Sequence, residues 1–432
     1  MRKIFEFLKK NISYLIVTYI LIQLIYVLFF PVKFQSDSFY YFRLAEQCIS
    51  AHSFYPAPQH LYEDYISAPL FINLLIIILS IYNSTISIGL LNILLNSLQL
   101  FLVYKITVKV LDKDTALLTV ILYIFYLSTL GLVLLNLTEF LFNVLILSSI
   151  YIYFKKTNLS YLFAGVLAAA SIAVRPLGWA LLIAYILSGL YQIIKLKTDL
   201  KNNIILVSGF IIFILIFGLF TKSYFGKFIY TSTNGPANIL IGANNNATGA
   251  FNSKVFGPGD PGLIKDAENK TYIEKGEYWE HQAINWIEEH PVKWIALIPL
   301  KLGYIFLWDD YSVSQLMHMQ DWNLYAMLKY IKTHKSFKGL LGNNTLIIKI
   351  LFFAFLIIHH LYYFALFLFI ILGIVAKISG KELKSGLLLI FLVALLTLSI
   401  TLLVFGSPRF KYPIIILLFP FAGFKLNSLF KR

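Results

Sequence analysis

The chain has 432 residues, of which 59% are hydrophobic and 13% charged, with a mean hydropathy of +0.76. A soluble domain keeps far more charge for its surface, so this composition excludes one and points to an integral membrane protein with many spans. The net charge of +15 is no sign of a nucleic-acid partner, because most lysines sit in short loops between apolar runs, as the positive-inside rule produces.

The first apolar run, Ile12 to Phe30, follows Arg2-Lys3 and Lys9-Lys10. Pro31-Val32-Lys33 is no small-residue cleavage site, so the run reads as an uncleaved signal anchor with a cytoplasmic N-terminus. Directly after it comes FQSDSFYY, with Asp37 isolated among aromatics. Ser36-Asp37-Ser38 precedes FYYFRLAEQ, which makes Asp37 a candidate N-cap for a helix over 38–50. Further apolar runs fall at 69–82, 86–104, 115–134, 137–154, 160–174, 176–194, 203–221, 292–308, 347–375, 386–404 and 410–427, which makes twelve candidates.

Strict alternation of all twelve would put Lys155-Lys156 and Lys195/Lys197/Lys201 outside and the long 222–290 loop inside, against the charge rule. The conflict disappears if 69–82, which is short, and 292–308, which carries Lys301 mid-run, are interfacial or re-entrant. The cytoplasmic side then collects Lys9/Lys10, Lys105/Lys109/Lys113, Lys155/Lys156, Lys195/Lys197/Lys201, Lys377/Lys381/Lys384 and Lys425/Lys431/Arg432. The expected fold is an all-α polytopic membrane protein of about ten to twelve transmembrane helices, with external amphipathic helices and a small external loop region. Residues 1–221 read as a transmembrane module with a first external loop at 31–85. Residues 222–346 read as an external loop region with interfacial helices near 272–289 and 321–332, and residues 347–432 as closing transmembrane helices.

Arginine is used at only five positions, Arg2, Arg43, Arg175, Arg409 and Arg432. The two terminal ones lie in basic clusters where lysine would serve equally. Arg43, Arg175 and Arg409 all fall on the external side, where a planar, permanently charged fork suits phosphate or carboxylate; alternatively each pairs with an acid or snorkels to the interface. Acids near the external face are Asp37, Glu46, Glu63, Asp64 and Glu139. Glu139, in LNLTEFLFN, opens an apolar helix, where it complements the helix dipole with Thr138 or Asn136 as cap, or serves chemistry. Lys301 inside an apolar run is costly without an anion nearby. The Asn244-Asn245-Asn246 run suits a polar turn or contacts to sugar hydroxyls. Asp309-Asp310 reads as a solvated acidic pair in an external loop, and His359-His360 as a poor bidentate metal pair. The lone cysteine, Cys48, excludes a disulfide framework and a Cys-based metal cluster. HExxH, GxSxG and GxxxxGK[ST] patterns are missing, which withdraws sequence support for zinc-hydrolase, serine-hydrolase and ATP-pump readings.

The order of these pieces carries a resemblance. An external Asp follows the first span (FQSDSFYYFRLAEQ, then SAPLFINLLIIIL), and a second acid heads a middle helix (LNLTEFLFNVLILSSIYIYFKK). After AVRPLGW come NGPANILIGANNNATG and AINWIEEHPVKWIALIPLKL, and then an Arg-aromatic close, SPRFKYPIIILLFPF. Together they resemble the GT-C glycosyltransferases that use polyprenyl-phosphate sugars, most nearly the branch of protein mannosyltransferases and aminoarabinose transferases. The resemblance implies a donor whose polyprenyl tail lies in the bilayer, and a lipid, glycan or protein acceptor. It implies Asp37 as the base in an inverting transfer and Glu139 as a second catalytic acid that orients the acceptor or a metal. It further implies substrate contacts from Tyr40, Tyr41, Arg43, Glu63, Asp64, Arg175, Asn244, Lys301 and Arg409. Many relatives carry Asp-Glu or Asp-Asp after the first span, whereas Ser38 follows Asp37 here, so a divalent metal stays an open expectation. The setting would be a bacterial inner membrane with the site facing the periplasm. The competing readings are an O-antigen ligase or polymerase and a non-enzymatic polyprenyl-linked saccharide flippase.

Overall fold

A computed structural model describes the chain except residues 1, 31, 33, 35, 36, 197–199, 227, 318, 320–322, 335–345, 381–384, 431 and 432. Expectations that rest on Pro31, Lys33, Ser36, Lys197, Lys381, Lys384, Lys431 and Arg432, and on the start of the predicted 321–332 helix, lie outside these described residues.

All regular structure among the described residues is helical. In chain order the helices are α1 (Arg2–Lys10), α2 (Ile12–Phe29), α3 (Asp37–Ser50), α4 (Pro69–Ile81), α5 (Thr85–Val110), α6 (Lys113–Ile124), α7 (Leu127–Leu132), α8 (Glu139–Tyr153), α9 (Asn158–Val174) and α10 (Trp179–Leu196). They continue with α11 (Lys201–Phe225), α12 (Gly235–Gly242), α13 (Tyr272–Glu289), α14 (Pro291–Ala296), α15 (Ile298–Phe306), α16 (Leu324–His334), α17 (Leu346–Ser379), α18 (Ser385–Leu403) and α19 (Tyr412–Phe430). Six stretches, in α2, α5, α11, α17, α18 and α19, are long and apolar enough to cross a bilayer, and four shorter apolar helices accompany them. Large apolar side chains such as Ile216, Leu219, Ile358 and Leu361 stay exposed on α11 and α17. Such ridges would be insoluble in water and suit contact with lipid. The protein is an integral, multi-pass membrane protein.

The closing helix forms the axis: 72% of its apolar window is buried, against 17% for α2 at the periphery. Elsewhere, α9 and α11 cross so closely that a Cβ on Gly165 or Gly209 would strike the carbonyl of Leu206 or Leu162 on the facing helix. Small residues at a crossing let backbones approach where lipid offers no hydrophobic drive. Polar side chains pin the other helices. Asn96 of α5 donates to Tyr19 Oη (3.0 Å) and Gln23 Oε1 (2.8 Å) of α2, and Tyr123 of α6 donates back to it.

Two predicted runs are broken. The 115–134 stretch is not one helix: α6 ends at Ile124, α7 is a single short turn, and the chain then runs irregularly to Thr138. Irregular backbone at membrane depth survives only where protein satisfies it. Asn92 of α5 does so, donating to the carbonyls of Val133 (3.0 Å) and Leu135 (2.8 Å). The 292–308 stretch is α14 and α15, interrupted at Leu297 ahead of Pro299. By contrast, the predicted 272–289 helix is α13, started by Thr271, whose hydroxyl accepts from Glu274 N while Glu274 reaches back to the Thr271 amide.

The segment between α11 and α14 has its own small core, in which Leu240, Ile241, Val255, Trp279 and Ala283 pack with Phe405 from the linker between α18 and α19. It is tied to the loop before α4 by Thr233 N to Ile66 O (2.7 Å) and Tyr272 N to Leu61 O (3.0 Å). The 31–85 and 222–346 segments are thereby held together.

Candidate active site

Four charged side chains from four separate parts of the chain meet at one point. Arg409 Nη1 donates to Asp37 Oδ2 at 2.6 Å, and its Nε donates to Glu139 Oε1 at 2.9 Å. Arg175 Nη1 lies 3.0 Å from the same Glu139 oxygen, without hydrogen-bond geometry. Local structure explains each position. Asp37 stands in the first turn of α3, where its charge complements the helix dipole. It is the first residue of the helix, where the sequence predicts the cap of a helix over 38–50. Glu139 is the first residue of α8; Thr138 makes no side-chain cap bond, and Asn136 serves elsewhere, so neither caps the helix as predicted. Arg175 ends α9 in extended backbone, one residue before Pro176. Arg409 sits in a short 3-10 turn over Pro408–Lys411.

Asn136 and Ser38 join the two acids. Asn136 N donates to Ser38 Oγ, and Asn136 Nδ2 donates to the Ser38 carbonyl, both at 3.1 Å. With Asn92 holding residues 133–135, the head of α8 is fixed against the head of α3. Aromatic rings wall the arginines: Arg175 lies over Phe142 (5.9 Å) and Phe410 (5.8 Å), and Arg409 over Tyr311 (5.9 Å). Burial pushes the phenols of Tyr41 and Tyr311 up, with only partial opposition from Arg409, so both stay protonated.

The site is electrically balanced but not saturated. Glu139 Oε2, Arg175 Nη1 and Asn136 Oδ1 are buried without a hydrogen-bond partner, whereas buried polar atoms are normally paired. Asp37 is the open member: its side chain is 44% exposed, against 1% for Glu139. The site is therefore open at Asp37 and closed at Glu139.

The remaining predicted residues divide. Tyr41 is buried and faces the cluster electrostatically. Tyr40, Arg43 and Glu63 form a second, outer group, with Arg43 over the Tyr40 ring (5.2 Å) and 3.6 Å from Glu63. Asp64 pairs with Lys275 of α13 at 3.1 Å, which ties the loop before α4 to α13. Asn244 spends its amide on the carbonyls of Leu240 and Ile241 and its oxygen on Asn246 N, so it closes a turn. Lys301 is fully buried and donates to the Leu402 carbonyl at 3.0 Å; it meets no carboxylate in that contact, and burial lowers its pKa to about 8.

The reading of Asp309-Asp310 as solvated is corrected: both are buried. The chain after α15 turns inward, where Lys411 Nζ lies 2.9 Å from Asp309 Oδ1 and His359 Nε2 lies 3.0 Å from Oδ2. Burial alone would raise the Asp309 carboxyl, but Lys411 and His359 hold it down at about 2. The adjacent histidines of α17 thus face the two aspartates, with His360 3.9 Å from Asp310. Sequence reasoning missed Ser38, Tyr311, Lys411 and the role of Asn136. The available signal was polar residues placed in apolar context, as in IFLWDDYS and SPRFKYP.

Among the described residues no group of three or more His, Cys, Asp or Glu side chains could hold a metal ion. Asp37 and Glu139, the site's two acids, are both gripped by a guanidinium, so this donor set does not fit a divalent cation.

No family model matches the chain, and no curated protein sequence matches it. Solved structures do. The apo oligosaccharyltransferase of Archaeoglobus fulgidus superposes with a TM-score of 0.53 at 12% identity over 97% of this chain and 50% of that one. The same enzyme tethered to an acceptor peptide containing the NVT sequon gives 0.52 at 13% identity over 99% and 50%. Archaeal oligosaccharyltransferase AglB, in complex with an inhibitory peptide and a dolichol-phosphate, gives 0.51 at 15% identity over 98% and 51%. The chain therefore spans about half the length of these structures. At such identities the likeness shows the fold alone: this chain shares the fold of the matched half of these oligosaccharyltransferases.

Proposed function

We propose that this protein is an integral membrane glycosyltransferase that moves a sugar from a polyprenyl-phosphate donor to an acceptor hydroxyl at the external membrane face. The observation that carries the reading is the half-exposed Asp37 carboxylate beside the buried Arg175 and Arg409 guanidiniums, with unfilled hydrogen-bonding capacity around them. Inverting transfer from a lipid phosphate needs a base for the acceptor proton and fixed positive charge for the leaving phosphate. Asp37 takes the proton as the acceptor oxygen bonds to the anomeric carbon. The bond from that carbon to the phosphate oxygen breaks, and the phosphate leaves with its electron pair toward Arg409 and Arg175. Glu139 holds both arginines in place. No step runs through a metal. The lysine sidedness supports a site on the non-cytoplasmic face, and in the proposed bacterial inner-membrane setting that face is the periplasmic one.

The test is to incubate the purified protein in detergent with a polyprenyl-phosphate monosaccharide and an acceptor extract, and to measure released polyprenyl phosphate. Release supports the reading, and no release across sugar classes overturns it. The neighbours bound to dolichol-phosphate and to an acceptor peptide favour a second reading, transfer of an oligosaccharide to a peptide. In that case the lipid phosphate is released from an oligosaccharide-phosphate donor, and the product that marks this reading is a peptide carrying an oligosaccharide.

A further inference from the structure

The turn at Pro408–Lys411 carries two buried cations two residues apart, and they point to different partners. Arg409 faces the site. Lys411, with no exposed side chain, pairs with Asp309 and donates to the Trp308 carbonyl. Asp309 also accepts from Tyr126 (3.1 Å) and Ser128 (2.8 Å) and meets His359. The contacts repeat along the two segments. Asp309 meets Lys411, the Tyr311 ring lies beneath Arg409, and Ser312 Oγ lies 2.9 Å from Tyr412 Oη. Ser312 donates onward to the Ser128 carbonyl at 2.8 Å. Residues 309–312 and 409–412 are thus zipped together, and α7 and α17 close over the zip.

A buried ion pair is a poor source of stability, because desolvation offsets its attraction; its best-attested use is to fix registry. We propose that Asp309 and Lys411 are positioning residues, which clamp the turn so that the Arg409 guanidinium stands between Asp37 and Glu139. The clamp is a geometric statement; its catalytic meaning rests on the transferase reading above.

The test uses the full-length protein in detergent. Asp309→Asn with Lys411→Met removes both charges together, so no lone charge is left buried. Folding is checked by size exclusion and thermal unfolding. The protein is then treated with phenylglyoxal, and modification of each arginine is followed by mass spectrometry. In the intact protein Arg409 is shielded at 10% side-chain exposure, while Arg43 at 44% reacts and serves as an internal reference. In the double variant Arg409 is expected to react at a rate approaching that of Arg43, whose own rate stays unchanged. Should that variant fail to fold, Ser312→Ala with Tyr412→Phe loosens the zip more gently and gives an intermediate rate. A folded variant whose Arg409 stays as shielded as in the intact protein overturns the clamp. On the transfer assay, displacement of Arg409 by about 1 Å is expected to cost about 10²-fold in kcat/KM for the donor, with acceptor KM unchanged. Full transfer with Arg409 exposed overturns its positioning role. If the intact protein releases no lipid phosphate at all, the transferase reading falls, and the modification pattern still decides the clamp.

Discussion

Two clusters of buried charge lie two residues apart along the same turn, and they are finished differently. Around Asp309 the partners close up: a lysine, a histidine, a tyrosine and a serine surround one carboxylate whose side chain is fully sealed, with His359 Nδ1 the only orphan atom among the four. Around Glu139 the same ingredients are left incomplete, with three buried polar atoms unpartnered and one carboxylate half in the open. The desolvation cost of charge is met in both, but only the second keeps capacity for another molecule. Saturation and sealing mark the scaffold, and unfilled capacity beside an opening marks the site.

The largest expected effect breaks the open cluster at its exposed acid. Asp37→Asn keeps expression and lowers transfer by about 10²–10⁴-fold, as the loss of a general base does; near-normal release of lipid phosphate by this variant removes Asp37 from the mechanism. The sealed cluster should answer in stability instead. Lys411→Met alone strands the Asp309 charge and costs about 3–5 kcal/mol, measured by unfolding in detergent.

A ligand should reveal the unfilled capacity. Polyprenyl phosphate at a hundredfold excess over its Kd stabilises the intact protein by about 2.7 kcal/mol, and Arg409→Met abolishes the gain; an equal gain in that variant would place the phosphate elsewhere. A smaller effect concerns Lys301, buried without a carboxylate and held at about 8 against 10.5 for a free lysine. Between those values the unfolded chain binds the extra proton, so stability rises with pH across that window. Lys301→Met should flatten the rise, and an unchanged slope would mean that Lys301 titrates normally. The outer pair is the smallest case: Arg43→Ala or Glu63→Gln should change stability by less than about 1 kcal/mol, because the pair is exposed and long.

Much of this was legible in the chain before any coordinate. Apolar runs longer than a bilayer is thick admit only helices, because no water is present to satisfy strands or loops. The helix expected near 272–289 is α13, Tyr272–Glu289. Arginine scarcity picked out Arg43, Arg175 and Arg409, of which the last two meet in the cluster, because a sparingly used residue implies a need for its fork. The isolated acids Asp37 and Glu139 stood out against apolar surroundings. These are properties of single residues in local context, and local context is what a sequence displays.

Partnership was not legible. Glu139 and Arg409 are 270 residues apart, and Asp37 and Arg409 are 372 apart. Nothing local says that Asn136 abandons a cap to bridge to Ser38, or that Asp309 turns inward to meet Lys411 when a loop acid would ordinarily stay in water. The break in the 115–134 run was hidden for the same reason: the groups that satisfy its free carbonyls belong to α5. By itself the sequence determined the class, the helices and the charged residues that needed an explanation. Only the tertiary structure decided which charges neutralise one another and which stay unfilled, because buried charge is resolved by partners that the chain brings from far away.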